Sequence, residues 1–428
     1  MKAVKKWLKW SLIGVGGLVL AFAIVWGVLM LNHYNIFAAK GWQGNQYLDN
    51  MGKPLMGWQV IDGKTFYFNP GKVTGWLETE KGKYYLDNQG NPQTGWFTDE
   101  NSTYLLSPEG KVITGWVQTE RGNRYFSEDG VMATGALDAQ GKQLYFLEDG
   151  TPWEGWFEDR YYVGGVALTG WQELEGERYY FFSDGIAADG WQTLNEHRYL
   201  FTQGKTYTGW YEEGSARYYF RENGQMAVGA VEIDGVTRFF TSAGKYVVMV
   251  NFQYPVPEDY VLDLVNVEGH RFDAGAAEDL RRMLAAARAE GHAIYINNTY
   301  RSIEVQRFMF NRSLYSYTSS GMDEQSAIEL ITESLMLPGH SEHHLALAVD
   351  FRCGNHTYKW LAENSWKYGF VLRYPEGKTD ITGIMYEPWH FRHVGMELAQ
   401  ELYESGLCME EYIQSISLST EDGQAPEF

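Results

Sequence analysis

The chain has 428 residues, 44% hydrophobic and 16% aromatic, with 47 glycines, 30 tyrosines and 16 tryptophans; the length predicts two or three domains, and the glycine and aromatic bias points to repeats rather than one compact core. A formal net charge of -20 excludes a nucleic-acid partner. Two cysteines, Cys353 and Cys408, are too few for a disulfide scaffold and are not spaced as a zinc site; an oxidising compartment would let them pair, and two free thiols fit equally well.

Residues 1 to 40 carry Lys2, Lys5, Lys6, Lys9 and Lys40 and no acid. Between them Ser11 to Leu31 form an uncharged run of 21 residues, long enough to cross a bilayer as a helix. The preceding lysines put the N-terminus in the cytoplasm and everything after Asn32 outside. A cleaved signal peptide would have a shorter apolar region ending at small residues. Cutting after Ala38 or Ala39 would leave Ile36 or Phe37 three residues before the cut, so the expectation is an uncleaved anchor over residues 1–33.

From residue 41 to 230 the pair Gly-Trp, with Ala in place of Trp at two positions, recurs at Gly41, Gly57, Gly75, Gly95, Gly115, Gly135, Gly155, Gly170, Gly190, Gly209 and Gly229. Most steps are 19 or 20 residues, with shorter ones of 15 and 16. Each unit, as in GWLETEKGKYYLDNQGNPQT, holds two short strand patterns and two glycine turns. A lone hairpin is marginal in water, so successive hairpins must share a core, and residues 38–250 read as a β-hairpin solenoid. Aliphatic residues are few, so the aromatics are expected to form that core, with some rings lining grooves between hairpins. The array resembles the choline-binding and glucan-binding repeats of Gram-positive surface proteins, which implies a cell-wall polymer as ligand. One departure bears on its chemistry. Choline-binding repeats usually carry Trp before the Tyr pair, whereas Lys83, Arg124, Arg178, Arg198 and Arg217 stand there. A cation where a cage wall should be argues against choline.

After Val250 the period stops. Ala274 to Glu290 reads as an amphipathic helix closed by Gly291, and residues 293–300 as a strand. Two helices follow, over residues 302–317 and 323–336, ended by Pro338-Gly339. Residues 344–351 and 370–375 are strand-like, with a helix over 359–369 between them. Residues 385–395 alternate like a strand, and residues 396–406 form a last helix before an acidic, disordered tail at 416–428. Irregular alternation over 251–415 predicts one α+β domain.

Within that domain the stretch SEHHLALAVD sets Asp350 on an apolar run, where an unpaired charge is costly. Zinc with three protein ligands and an open position suits hydrolysis. His343, seven residues ahead of Asp350, and His390 in YEPWHFRHVG are candidate ligands, with Glu387 three residues before His390. Zinc lowers the pKa of its water toward about 7, within reach of a carboxylate base such as Glu387. His344 would face away from its neighbour on a strand, His340 and His393 read as supporting or surface groups, and Glu342 as structural.

The ordered motifs YRSIEVQ, PGHSEHH, LAVDF, GFVLRYPEGK, ITG and EPWHFR resemble the VanY-type D-alanyl-D-alanine carboxypeptidases and the related L,D-carboxypeptidases, over Phe252 to Tyr412. The resemblance implies a zinc peptidase trimming peptidoglycan stem peptides. It makes His343, Asp350 and His390 the metal ligands and Glu387 the general base. Arg301 would stabilise the oxyanion, Gln306 and Ser341 would hold the peptide and its carboxylate, and Trp389 would wall the pocket. Where the family motif has glycine, this chain has Ala346; a glycine there at positive φ would make alanine a strained replacement.

The expected protein is thus a multi-domain, single-pass membrane protein of the Gram-positive type, with its bulk at the wall. An N-terminal transmembrane helix would precede a β-hairpin solenoid of cell-wall-binding repeats and a C-terminal α+β zinc carboxypeptidase. An L,D-carboxypeptidase, a cross-link endopeptidase and a catalytically weak wall-binding protein are the alternatives.

Overall fold

A computed structural model describes residues 22–30 and 40–421. Of the expected anchor, Phe22 to Met30 are helical, and the rest of Ser11–Leu31 lies outside the described residues, as do the boundaries expected at 33 and 38. Among the described residues no helix is long and apolar enough to cross a membrane. The chain divides into two compact units, one reaching Gln172 and adding Tyr180–Ala187, the other comprising Glu173–Tyr179 and the chain from Ala188 onward.

In the first unit, the marker glycines from Gly41 to Gly155 each open a hairpin. In the hairpin Gly115–Thr119 with Gly122–Phe126, Gly115 pairs with Phe126 and Trp116 with Tyr125. Alternation on the second strand turns every other residue inward. Phe126 is fully buried, and the equivalent Phe68, Leu86, Leu106 and Phe146 are 2% exposed or less. The shared core is therefore a column of one second-strand residue per unit. The tryptophans flank it: Trp76 packs against Tyr104, Leu106 and Val112, and Trp116, 44% exposed, stands edge-on to Tyr125 with its ring centroid 5.5 Å from that of Phe146.

Two glycines show different needs. Gly115 has φ 80° with nothing near an added Cβ, so backbone conformation selects it. At Gly130 a Cβ would collide with Val112 Cγ1 of the preceding unit, so close approach selects it as well. Successive hairpins also share backbone bonds, Val112 N to Lys83 O at 2.8 Å and Met132 N to Thr103 O at 2.7 Å.

The second unit contains hairpins opened by Gly190, Gly209 and Gly229, with a buried column of the same kind at Phe201, Phe220 and Phe240. The α+β domain then follows in the order β1 (Leu264–Val267), β2 (His270–Asp273), α1 (Ala277–Ala289), β3 (Ile294–Asn298), α2 (Ile303–Ser319), α3 (Glu324–Thr332), a 3-10 turn (Glu342–Leu345), β4 (Ala348–Cys353), α4 (Asn355–Asn364), β5 (Phe370–Leu372), α5 (Thr379–Thr382), β6 (His390–His393), α6 (Met396–Ser405) and α7 (Met409–Glu421). The expected α+β class is what forms. β3, β4, β6 and β5, in that order, make one antiparallel sheet. Leu280, Met283 and Leu284 of α1 pack on Val349, Phe351, Phe370 and Phe391 of the sheet. Ser302 and Asp323 cap α2 and α3, each accepting a bond from the backbone three residues on.

Position 250 is not a packing boundary. Phe239, Val247 and Met249 share a core with Val371, Leu398, Leu402 and Met409. The segment from residue 416, expected to be a disordered tail, is helical as far as Glu421, because α7 runs on to that residue. Ile416 packs on that same core, and Ser417 Oγ accepts from Ala230 N at 3.0 Å, so this segment has tertiary partners that composition does not reveal. Residues 422–428 lie outside the described residues. Cys353 and Cys408 are free thiols, whose burial pushes both up to about 11.

Candidate metal centre

Register brings the first two candidate ligands together. Asp350 on β4 lies directly opposite His390 on β6, and His390 Nδ1 is 3.0 Å from Asp350 Oδ1. His343 arrives from the 3-10 turn, its Nε2 3.2 Å from Asp350 Oδ2. Ligand atoms of His343, Asp350 and His390 all lie within 4.8 Å of one another, and the three residues are buried.

The turn is held from several sides. Ala346, at φ 60° and ψ 17°, reverses the chain in the left-handed region and feeds it into β4. Its carbonyl accepts from Asp273 N at 3.0 Å, and Leu345 O accepts from Tyr260 Oη at 2.9 Å. His343 Nδ1 bonds Thr299 O at 2.6 Å, which makes Nδ1 the protonated nitrogen and leaves Nε2 with its lone pair toward Asp350. Burial keeps this ring neutral by lowering its pKa. His344 is excluded as a ligand, though not by strand alternation. On the turn its Nδ1 meets Arg301 O at 2.7 Å and its Nε2 accepts from Gly339 N at 3.2 Å. His340 and His393 are likewise engaged elsewhere, with Asn251 O and Asp279.

The strand expected over residues 385–395 forms only at its end, His390–His393. Residues ahead of it turn, with His390 N bonded to Glu387 O at 3.1 Å. The difference is functional. Residues three apart on a strand face opposite sides, whereas the turn carries Glu387 Oε2 to 3.6 Å from His390 Nδ1. Burial, reinforced by the charge of Asp350, pushes the Glu387 carboxyl up to about 7, a useful value for a general base. Burial opposes the charge of His390, yet Asp350, Glu342 and Glu387 outweigh it and raise that ring to about 9. Asp350 is held well below the carboxylate range by the two imidazoles, against its own burial.

Arg301 is next to this cluster in charge, interacting with Asp350 and Glu387 while burial lowers its pKa. Gln306 is not where substrate could reach it. The residue is fully buried, accepts from Arg301 Nη1 at 2.7 Å and donates to Met336 O at 2.5 Å, so it orients the arginine instead. Ser341 is buried at the head of the 3-10 turn. Trp389 is 37% exposed. Glu342, read from sequence as merely structural, is buried with Arg373 and Arg392 on its Oε1. Two imidazole nitrogens and a carboxylate oxygen, converging beside a second carboxylate, fit a zinc ion that keeps one position open.

In the hairpins, three of the cations that replace the cage tryptophan lie over tryptophan faces, while Arg124 instead donates to Asp149 O. Lys83 Nζ, Arg198 Cζ and Arg217 Cζ stand 4.5 Å from the ring centroids of Trp76, Trp191 and Trp210.

Comparison with known proteins agrees with both halves. The family profile for VanY, D-alanyl-D-alanine carboxypeptidase, matches residues 269–396. The profile named "Putative cell wall binding repeat" matches residues 74–91, 169–187 and 208–226. The D-alanyl-D-alanine carboxypeptidase of Enterococcus faecalis (strain ATCC 700802 / V583) is 38% identical over 175 residues, covering 39% of this chain and 65% of that protein. The "Putative carboxypeptidase YodJ" of Bacillus subtilis (strain 168) is 32% identical, covering 39% of this chain and 67% of its own length. The chain thus spans about two thirds of these curated relatives. A solved mutant of the vancomycin resistance D,D-pentapeptidase VanY from a VanB-type resistance cassette, in complex with Zn(II), is 39% identical at a TM-score of 0.37, covering 39% of this chain and 97% of that one.

Proposed function

This chain belongs, through its C-terminal domain, to the VanY D-alanyl-D-alanine carboxypeptidase family, and on that premise we propose that it is a zinc-dependent carboxypeptidase removing the terminal D-alanine from peptidoglycan stem peptides. The observation that carries the reading is the convergence of His343, Asp350 and His390 within 4.8 Å, with Glu387 3.6 Å from one of them. A bound zinc ion would supply Lewis acidity to the scissile carbonyl and acidity to a water.

The chain's own residues supply the rest. Glu387, raised toward neutrality, takes a proton from the attacking water and returns it to the leaving amine. Arg301, braced by Gln306, donates hydrogen bonds to the oxyanion as it develops. The Ser341 hydroxyl, which makes no capping bond to the 3-10 turn it heads, is available to the substrate's terminal carboxylate. Trp389 walls the entrance. The hairpin array holds the enzyme on a cell-wall polymer, and the run Ser11–Leu31 anchors it in the membrane with its bulk outside. The cations over Trp76, Trp191 and Trp210 favour a ligand other than choline there.

The test incubates the full chain with a pentapeptide ending in D-Ala-D-Ala and with a tetrapeptide ending in one D-Ala. D-alanine release from the pentapeptide, lost on zinc removal and restored by zinc, is expected. Release from the tetrapeptide alone would reassign the enzyme to L,D-carboxypeptidases, and zinc binding without turnover of either would favour a wall-binding protein.

A further inference from the structure

Among the described residues very few buried side-chain polar atoms are left without a hydrogen-bond partner, and two of them are Glu342 Oε2 and His390 Nε2. These two atoms lie 3.6 Å apart. The other oxygen of Glu342 is fully engaged, accepting from Arg373 Nε at 2.9 Å and from Arg392 Nη1 at 3.2 Å. Glu342, Arg373 and Arg392 are each 1% exposed, so no solvent competes for them. The carboxylate therefore has one free oxygen, and it is directed at the one ring nitrogen of His390 that does not face Asp350 and Glu387.

Both arginines are fastened in turn by the segment that leaves the last hairpin. Arg392 Nη2 donates to Val248 O at 3.1 Å. Arg373 Nη1 and Nη2 donate to Glu410 at 2.9 and 2.5 Å, and Glu410 Oε1 also accepts from Asn251 Nδ2 at 3.1 Å. A continuous chain of contacts thus runs from residues 248–251, through two buried arginines and Glu342, to His390.

We infer that Glu342 is a positioning residue of the metal centre and that the segment Val248 to Asn251 is its outer support. Glu342 accepts the Nε2–H of His390, which fixes the tautomer and leaves Nδ1 as the lone-pair nitrogen on the side of Asp350. The last hairpin is then part of the catalytic domain's working structure, and a strain on that hairpin reaches the metal site through Arg392 and Glu342. This rests on the reading of His343, Asp350 and His390 as ligands. The bland alternative is that Glu342 only neutralises the arginines.

Zinc affinity of the full chain, measured by competition with a chromophoric chelator, separates these, together with the visible absorption of the cobalt-substituted protein. Glu342→Gln is expected to weaken zinc binding by about 10- to 100-fold and to change the cobalt spectrum. Glu342→Asp keeps the charge the arginines need while withdrawing the carboxylate by one methylene. It should therefore fold and still bind zinc more weakly, even where the Gln variant does not fold. Asn251→Ala should weaken binding less, in the same direction. Unchanged zinc affinity and cobalt spectrum in the folded Asp variant would overturn the positioning role alone. Failure of the unaltered chain to take up zinc would overturn the metal centre itself.

Discussion

Arg301 and Gln306 form a fixed pair: Nη1 of the arginine donates to Oε1 of the glutamine at 2.7 Å, and the glutamine is wholly buried, its own amide bonded to Met336 O. Helix α2 starts at Ile303, between them, so its first turn aims the guanidinium. Replacing Gln306 with Met keeps the volume and removes the aim. Since small misplacements of a transition-state donor are costly, kcat should fall by about 10- to 100-fold with zinc affinity unchanged. Equal activity in Gln306→Met would show that Arg301 is aimed by something else.

Glu387→Gln retains the shape beside His390 and removes the base. A loss of about 10²- to 10⁴-fold in kcat is expected, with stoichiometric zinc retained by metal analysis. Retained turnover would move the proton transfer to another group.

The metal-free protein should lose stability as pH rises. Glu387 is raised to about 7 from 4.5 and His390 to about 9 from 6.5, so the folded state holds both protons more tightly than the unfolded chain. For groups raised in this way the contribution is complete below the unfolded value and is lost on passing the folded one. Below about pH 6.5 the buried His343, His344 and His393, whose pKa values burial lowers, work the other way, so melting temperature in excess chelator should fall between about pH 6.5 and pH 9. Saturating zinc should flatten that fall, because the ligands then bind metal instead of a proton. Parallel curves with and without zinc would contradict the site's ionisation as described.

Ala346 sits at φ 60° with its side chain fully buried. Left-handed backbone costs a residue with a Cβ about 1 kcal/mol more than glycine. Ala346→Gly should therefore raise the melting temperature by a few degrees and leave zinc affinity equal or tighter. A drop in stability would mean that packing of the methyl outweighs the backbone strain.

Arg217 covers Trp210 at 4.5 Å and is itself paired with Glu212 at 3.0 Å. Calorimetric titration of the full chain with choline should detect little binding, and Arg217→Ala, which uncovers the indole, should increase it. Strong choline binding by the unaltered array, or no gain in Arg217→Ala, would refute this account of the tryptophan faces.

Much of the site is legible in the sequence because its ligands and base sit on two short segments: spacing makes them candidates, and the resemblance of the ordered motifs to the VanY-type carboxypeptidases assigns their roles. The twenty-residue period likewise reveals the hairpins, since Gly115 and its counterparts open a strand each time. What escapes is set by distant contacts. Helix α7 beyond residue 415 is polar and acidic, and its order comes from Ile416 and Ser417 meeting residues of the last hairpin. Glu342 looks like a spare acid in the sequence; its role depends on Arg373 and Arg392, 31 and 50 residues away. Glu387 and His390 share a site because a turn breaks the alternation their sequence suggests.

The close approach at Gly130 recurs with a constant offset. Cβ atoms added at Gly90, Gly110, Gly130 and Gly150 would each meet the side chain eighteen residues earlier, Lys72, Pro92, Val112 and Met132. Removal of Gly95 to Thr114 would bring Pro92 beneath Gly130 and leave a seam of the same kind. A one-residue deletion inside a strand would instead turn the rest of that strand to the wrong face. Recombination between like stretches of the gene can therefore lengthen or shorten this array in whole units, whereas smaller changes must keep the pleat, as in the hairpin Gly41–Gln43 with Gln46–Leu48, whose strands are three residues long instead of five.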